Sequence, residues 1–380
     1  MQRICQDDYN EIFHSYQSLL NHHLKQDRES RWIRCGIQTL KLKPLMAASP
    51  LLTNPAAFAG GVSVDAIDDT VKNLGLAMRV ERDLYPVRST AYKSILDRAK
   101  IGGSVLPKLK RETLADVLNT CFAEQKSNAL VLIRGEKVSA VHSGDERDYS
   151  VLPIAQLLSL LQKKLDARFP GNQFETGYSD HAVTGASWTM PDQKKDLIGS
   201  YTDLLKAQGR LRMAEKLIPG IRFLTSDTGV ASAKVSAMLF GSDMPILIGG
   251  CVEVDHRHQR TVSDFDAALD QLFVRFGDTV KKLQELTEIH LDYPVNAMSR
   301  VCKKLSLPKK EALEAIQMFE TTNGDQPATA HDVFVAMQEI VFTLHSKKTP
   351  QSKLLTLQEN LSRAMYLDWE AYDLAKAVTY

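Results

Sequence analysis

The sequence predicts an α+β fold in which a mixed, strand-rich core precedes an all-helical C-terminal region. Three observations predict it. Several short segments before residue 258 alternate apolar and polar residues, as strands do. Helical patterns lie among these segments without strict alternation, which disfavours a doubly wound parallel sheet. After residue 258, apolar residues recur at helical spacing to the end of the chain.

We divide the chain into residues 1–84, 85–262 and 263–380. The first region is predicted to hold a helix within residues 7–26, a strand within 31–43, a loop rich in Pro, Ala and Gly, and a helix over 64–76. The first of these helices rests on five residues at helical spacing: Ile12, Tyr16, Leu19, Leu20 and Leu24.

The second region, 85–262, is predicted to be the α+β core. Helices are expected near 89–99, 112–124, 151–168 and 193–215. The segment ALVLIRGEKVSAVHS predicts a hairpin that turns at Arg134–Lys137. Strands are predicted within residues 172–190 and in GIRFLTSDTG, ASAKVSAMLF and PILIGGCVEV.

The third region, 263–380, is predicted to be essentially all helix. A long helix over 263–290 should pack on the strand-rich core through Leu269, Leu272, Phe273 and Phe276. Further helices are expected at 294–304, 308–319, 329–344, 350–364 and 367–378.

Composition restricts the class of protein. Hydrophobic residues are 44% and charged residues 24%, ordinary values for a globular chain that can bury a sizeable core. The net charge of +1 argues against a protein that coats nucleic acid along its whole surface. The five cysteines are scattered and form no C-x-x-C pair, which predicts a reducing compartment. No segment resembles a leader or a membrane span, so we expect a cytoplasmic protein.

Four segments, taken in order, carry a resemblance over roughly residues 85–345. They are LVLIRGEKVSAVHS, PGIRFLTSDTGVASAKVSAMLF, GGCVEVDHRHQRT and ATAHDVFVAMQEIV. Together they resemble the phage/plasmid-like domain of unknown function 932 family. This chain departs from the family where Cys251 is followed by Val252-Glu253-Val254 rather than a Cys-x-Asn-Gly element. The resemblance implies a mobile-element protein linked to DNA replication, recombination or host conflict, and implies no catalytic residue.

The stretch VEVDHRHQRT, residues 252–261, concentrates charge at the end of a predicted strand. On an extended chain His256 and His258 point the same way, so they can bind a metal if Asp227, His142 or His181 supplies further ligands. Two other interpretations stay open. The two histidines and Arg257 can contact phosphate, or they can form a solvated, salt-bridged strand end. No ligand set of ordinary spacing is present, and we predict no metal and no cofactor.

Catalytic motifs give no support for an enzyme. The SDTG at Ser226–Gly229 is explained by a tight turn between strands, because aspartic proteases need two such loops and no second Asp-Thr-Gly occurs. The chain also lacks a phosphate-binding G-x-x-x-x-G-K-[ST], a G-x-G-x-x-G and a G-x-S-x-G.

Two clusters of basic residues indicate a function more clearly than the metal or catalytic motifs do. In the first, Arg28, Arg31, Arg34, Lys41 and Lys43 surround Trp32, and Arg31, Trp32 and Arg34 are the predicted contacts. In the second, six cations surround the glycines Gly102-Gly103: Lys93, Arg98, Lys100, Lys108, Lys110 and Arg111. The last four of these are the predicted contacts. Cations neutralise phosphates, an aromatic ring can stack on a base, and glycines let the backbone approach closely. The alternative is that these lysines and arginines only solvate surface helices.

The sequence therefore predicts a cytoplasmic mobile-element protein that binds nucleic acid, in particular single-stranded DNA, without being an enzyme. The predicted contacts are those of the two basic clusters together with His256, Arg257 and His258. A homo-oligomer is compatible with this prediction. Two alternatives stay open: an inhibitor of a host defence factor that acts by protein–protein binding, and a metal-dependent nuclease.

Overall fold

The structure is a computed structural model that describes residues 4–47, 49, 51–52, 54–241, 245–324 and 326–378. Its strands, in chain order, are β1 (Asn10–Phe13), β2 (Arg31–Gly36), β3 (Lys41–Pro44), β4 (Leu76–Val80), β5 (Asp83–Pro86), β6 (Asn128–Arg134), β7 (Lys137–Ser143), β8 (Gln173–Asp180), β9 (Thr184–Thr189), β10 (Ile218–Thr225), β11 (Ala233–Phe240), β12 (Ile246–Val254), β13 (His290–Leu291) and β14 (Ala328–Thr329).

The helices fall between and after these strands. They are α1 (Tyr16–Glu29), α2 (Val64–Lys72), α3 (Ala91–Ala99), α4 (Arg111–Ala123), α5 (Ile154–Arg168), α6 (Lys194–Ala207), α7 (Leu211–Lys216), α8 (Val262–Leu269), α9 (Leu272–Glu285), α10 (Pro294–Lys304), α11 (Lys309–Asn323), α12 (Ala330–Ala336), α13 (Glu339–Ser346) and α14 (Gln351–Ser362). In the part of the chain that the structure describes, none of the helices has the length and apolar character that crossing a membrane requires.

The larger of two lobes is built on a six-stranded antiparallel sheet in the order β1-β8-β9-β10-β11-β12. Apolar side chains of this sheet and of the helices from α5 onward form one continuous hydrophobic core. The predicted α+β class, with a helical C-terminal region, is confirmed.

The smaller lobe contains two three-stranded antiparallel sheets, ordered β2-β6-β7 and β3-β4-β5. Helices α3 and α4 cover them and share a separate hydrophobic core with them. Strand β2 pairs with β6 in register Trp32↔Leu132, so the predicted regions 1–84 and 85–262 contribute to one sheet. The boundaries at 84 and 262 themselves stay a prediction.

The predicted hairpin is confirmed as β6 and β7. Arg134 pairs with Lys137, and the two residues between them, Gly135 and Glu136, have φ of +54° and +69°. Two consecutive positive φ values are the geometry that a two-residue hairpin turn needs. Arg134 at the end of β6 and His142 near the end of β7 both contact Asp227 of the larger lobe.

The N-terminal helix was predicted wrongly at its start. Residues Asn10–Phe13 form β1, which pairs with β8, and α1 begins only at Tyr16 after the cap residue Ser15. Ile12, which fits helical spacing, is instead 60% exposed on this edge strand. Pairing with a strand more than a hundred residues away decides the conformation here.

The C-terminal region differs from prediction in four places. The predicted helix over 263–290 is two helices, α8 and α9, separated at Asp270-Gln271. The predicted helix over 329–344 is likewise two helices, α12 and α13, separated at Met337-Gln338. The predicted helix over 367–378 is absent: among the described residues there, only Glu370–Tyr372 form a short 3-10 turn. A carboxylate explains the irregular end, because Asp373 accepts the N–H groups of Asp292 and Tyr293 at 2.7 Å each. The fourth difference is the short pairing of β13 with β14.

The predicted packing of this region on the core is confirmed for most of its residues. Leu269, Leu272 and Phe276 are buried against the larger lobe. Phe273 is only partly buried, and its ring stacks on Phe169 at 3.9 Å between centroids.

Candidate functional site

A cavity of about 420 Å³ opens where the two lobes meet. It is formed by helix α3 and the end of β7 on one side, and by the β10–β11 turn and the segment after β12 on the other. Three ring side chains line it or its base: His142, Tyr149 and His256. We call it the histidine cavity.

The three rings form a stack. The Tyr149 ring lies 3.5 Å from that of His142 between centroids, with 4° between their planes. On the other side, His256 lies 5.6 Å from Tyr149 with 8° between planes. The Trp32 ring is 6.0 Å from both His142 and Tyr149. Residues from β2, β7, the loop after β7 and the segment after β12 therefore meet in one aromatic group.

Main-chain carbonyls fix the protonation pattern of the two histidines. Nε2 of His142 lies 2.8 Å from the carbonyl oxygen of Asp227, which also accepts the Tyr149 hydroxyl at 2.9 Å. Nδ1 of His256 lies 3.1 Å from the carbonyl oxygen of Ser150. A carbonyl oxygen only accepts, so these nitrogens carry the protons. In the neutral rings, Nδ1 of His142 and Nε2 of His256 are then acceptors.

Burial keeps both rings neutral. It lowers the pKa of His142 to about 4, an effect that the carbonyl of Asp227 only partly opposes. The pKa of His256 is also lowered, again mainly by burial. The pKa of the Tyr149 hydroxyl is raised by burial. At pH 7 the site therefore presents neutral imidazoles rather than cations.

The position of Asp227 follows from the turn that contains it. Ser226 Oγ accepts the N–H groups of Thr228 and Val230 at 3.1 and 3.2 Å. Gly229 has φ of +74°, which favours glycine. The prediction of a tight turn at SDTG is confirmed, but its aspartate does more than close the turn. Its carboxylate forms a buried ion pair with Arg134, Nη2 to Oδ2 2.5 Å.

The charges around the cavity balance. The described lining residues include three cations and three carboxylates: Lys93, Arg98, Arg257, Asp97, Asp148 and Asp255. The cavity therefore suits a polar ligand with both donor groups and negative charge better than a simple polyanion.

The first basic cluster divides between two faces of β2. Arg34 is on the same face as Trp32, and its guanidinium contacts Glu146 of the loop after β7 at 3.3 Å. Arg31 turns to the other face, where Nη2 donates to the Tyr85 hydroxyl at 2.6 Å. Residues three apart in a strand point to opposite faces. Of Arg31, Trp32 and Arg34, Trp32 contacts the rings of the histidine cavity and Arg34 contacts the loop that carries Tyr149.

His256 and His258 do not point the same way, so the expectation drawn from an extended chain is wrong. Strand β12 ends at Val254, and His258 has φ of +59°. His256 is buried, whereas the side chain of His258 is 73% exposed. Arg257 is exposed too. The N–H of His258 donates to the carbonyl of Arg147 at 2.7 Å, which brings this segment against the same loop as Arg34.

The other histidine considered as a metal ligand lies elsewhere. Nε2 of His181 lies 2.8 Å from the carbonyl oxygen of Gln6, on the N-terminal segment. Across the described ranges, no group of three or more His, Cys, Asp or Glu side chains is placed to hold a metal ion.

The second basic cluster is divided: Lys93 and Arg98 line the histidine cavity, and the four predicted contact residues lie outside it. Lys100 ends α3 in the left-handed conformation, with φ of +54°. Lys108 and Lys110 are exposed before α4, and Arg111 donates to the carbonyl of Asn73 at 3.0 Å. Gly103 has φ of +127° and open space around it, as a loop of unusual backbone shape requires.

The sequence does not point to Tyr149 or Arg134 as site residues, and it points to His142 only as a possible metal ligand and to Asp227 only as a possible metal ligand or turn residue. Arg134 did carry a signal, because it follows the buried apolar run Ala129–Ile133 of β6. His142 carried a weaker one, because β7 also contains Lys137, Ser139 and Ser143. Tyr149 carried none, since an aromatic residue in a charged loop has many explanations.

No family model matches the chain, and no similar curated protein or solved structure is found. The resemblance to the phage/plasmid-like family therefore stays a prediction.

Proposed function

We propose that this chain is a non-enzymatic mobile-element protein that binds single-stranded DNA in replication or recombination. The proposed interface is the surface around the loop 144–150. It consists of Trp32 and Arg34 on one side and of His256, Arg257 and His258 on the other.

One observation carries the proposal. Two segments singled out for their cations, more than two hundred residues apart, contact the same loop: Arg34 contacts Glu146, and His258 contacts Arg147. Between them lies the half-buried ring of Trp32, 6.0 Å from the buried ring of Tyr149. Proteins that bind single strands combine cations along the backbone path with aromatic rings that stack on bases. Trp32 is the ring of this surface that can serve such stacking.

Neutral net charge fits an interface of limited extent. The cations of the proposed surface are exposed, and the net charge of the whole chain is +1. Such a protein should bind a short strand locally rather than condense long polymers. Arg31 is left out of the proposed interface because its guanidinium contacts Tyr85 on the opposite face.

The test is fluorescence anisotropy with labelled single- and double-stranded oligonucleotides at about 50 and 200 mM salt. We expect tighter binding to the single strand and affinity that falls with salt. Arg34→Ala should weaken binding and reduce the salt dependence by about 0.7 in log affinity against log salt. Arg31→Ala is the matched control, because it removes the same side chain from the same strand but from the other face. Salt-insensitive binding, or none, would refute the proposal.

A protein-binding function is the second candidate, and one surface favours it. Apolar side chains of α11 and α13 stay exposed around a cavity of about 320 Å³; Met318 is 55% and Phe342 40% exposed. Exposed apolar patches often mark protein interfaces. Salt-insensitive binding of a purified host defence protein, lost in Phe342→Lys, would favour this function over DNA binding.

A further inference from the structure

We infer that the histidine cavity takes one unstacked nucleotide whose base carries an exocyclic amino group, as cytosine, adenine and guanine do and thymine does not. This inference rests on the proposed function, which it extends from a backbone interface to a base-selective one. It follows from the acceptors, the cations and the size of the cavity.

The acceptor at the inner wall is Nδ1 of His142. Because Nε2 donates to the Asp227 carbonyl, Nδ1 of the neutral ring has a free lone pair. That edge of the ring faces Gly229, which also lines the cavity: a Cβ placed on Gly229 would lie 3.3 Å from Cε1 and 3.8 Å from Nδ1. The absence of a side chain at Gly229 leaves this edge approachable. A ligand must present a donor there.

The carboxylates of the cavity wall are also hydrogen-bond acceptors, so they too favour a ligand that donates. Asp97, Asp148 and Asp255 line the same cavity. Asp148 accepts the Ser143 hydroxyl at 2.9 Å, which fixes one of its oxygens. An exocyclic amine has two N–H groups, so it can donate to the imidazole and to a carboxylate together.

The cations of the cavity can bind the phosphate of the nucleotide. Lys93 and Arg98 from α3 and Arg257 from the segment after β12 line the cavity alongside the carboxylates. Arginine binds phosphate through two parallel N–H groups. A nucleotide combines an anion with amino donors in one molecule, which matches a cavity of balanced charge. The volume of about 420 Å³ also lies in the range typical of small-molecule sites.

Calorimetry with dCMP, dAMP and dTMP on the unaltered protein tests this directly. We expect dCMP and dAMP to bind at least about fivefold more tightly than dTMP, as one net hydrogen bond allows. Homopolymer strands of about twelve nucleotides should follow the same order, with oligo-dC above oligo-dT.

His142→Phe isolates the acceptor. The phenyl ring can keep the stack on Tyr149, and the Tyr149 hydroxyl still donates to the Asp227 carbonyl, so no buried carbonyl is left unpaired. The preference for dCMP over dTMP should disappear. His14→Phe, at an exposed position, is the matched control and should keep the preference. Arg98→Gln should instead lower the affinity for all three monophosphates alike, by about tenfold or more.

The outcomes separate the two proposals. Strand binding without any preference between dCMP and dTMP refutes the nucleotide site and leaves the DNA-binding proposal standing. Selective dCMP binding without strand binding supports the nucleotide site and refutes DNA binding. If His142→Phe does not fold, the comparison of monophosphates on the unaltered protein and on Arg98→Gln still decides. No dCMP binding at millimolar concentration refutes the inference.

Discussion

Arg134 and Asp227 form a buried ion pair that joins the two lobes, with Nη2 of the arginine 2.5 Å from Oδ2 of the aspartate. Arg134 ends β6 in the smaller lobe, and Asp227 lies in the β10–β11 turn of the larger one. The main-chain carbonyl of the same aspartate orients both His142 and Tyr149. One residue therefore connects the lobes and arranges the rings of the histidine cavity.

Asp227→Asn should destabilise the protein by about 3–5 kcal/mol, because it leaves the Arg134 guanidinium buried without its counter-charge. The measurement is the free energy of unfolding in urea. Glu285→Gln is the control: it breaks the exposed pair of Glu285 with Lys282 and should cost about 0.5 kcal/mol or less.

Replacing both partners separates the charge penalty from simple loss of packing. Arg134→Met with Asp227→Leu removes both charges and should recover part of the loss seen in Asp227→Asn. If Asp227→Asn is as stable as the Glu285→Gln control, the ion pair does not join the lobes in solution.

Acid should destabilise the fold between about pH 6.5 and pH 4. Burial lowers the pKa of His142 to about 4, and burial followed by the charge of Arg210 does the same for His331. In the unfolded chain a histidine has a pKa near 6.5. Because the unfolded state binds more protons in this interval, stability is full above about pH 6.5 and falls as pH drops toward 4, by up to about 3 kcal/mol per histidine.

Urea midpoints measured across that interval check the sign. His142→Phe removes one titrating group, so its loss of stability on acidification should be smaller than that of the unaltered protein. His14→Phe, at an exposed position, should keep the full loss. A pH profile identical in all three proteins would mean that His142 is not held neutral by burial.

The two phenylalanines of α9 should contribute unequally to the free energy of unfolding. Phe276→Ala should cost about 3–5 kcal/mol, since that side chain is wholly buried. Phe273→Ala should cost less, because Phe273 is only partly buried and one face of its ring is covered by the Arg168 guanidinium, 4.3 Å from its centroid. The measurement is the free energy of unfolding of each variant in urea. An equal loss of stability in both variants would contradict this packing.

The parts of the fold that the sequence predicts well are those with local causes. The β6–β7 hairpin follows from alternating residues around Gly135-Glu136, and α5 follows from leucines at helical spacing. Strand β1 has no such cause, since pairing with β8 sets it. Strands β4 and β5 are not predicted, because their buried runs Leu76–Met78 and Leu84–Pro86 show no alternation.

The site was predictable only in part, for the same reason. His256 is singled out by the sequence as a candidate metal ligand or phosphate contact, and the structure places it in the histidine cavity, but the carbonyl that fixes its ring belongs to Ser150, 106 residues away. Its separation from His258 depends on a positive φ after the end of β12. A histidine in a sequence gives no information about which main-chain carbonyl will hold it.

The second basic cluster tests whether DNA binding extends beyond the histidine cavity. Lys108 and Lys110 are exposed, and none of Lys100, Lys108, Lys110 and Arg111 lines the cavity. A strand held at the cavity can reach this loop only by following the surface of the smaller lobe. If it does, each phosphate contact adds about −0.7 to the slope of log affinity against log salt.

Reversing Lys108, Lys110 and Arg111 to glutamate should therefore weaken single-strand binding by orders of magnitude and flatten the salt slope by about two. The variant should remain folded, because exposed substitutions cost about 0.5 kcal/mol and the bond from Arg111 to Asn73 about 1 kcal/mol more. Reversing Lys303, Lys309 and Lys310, exposed on the C-terminal helices, changes net charge equally and serves as the control. Equal slopes in both variants would restrict binding to the surface around Trp32 and Arg34, because the loop before α4 would then act only through net charge.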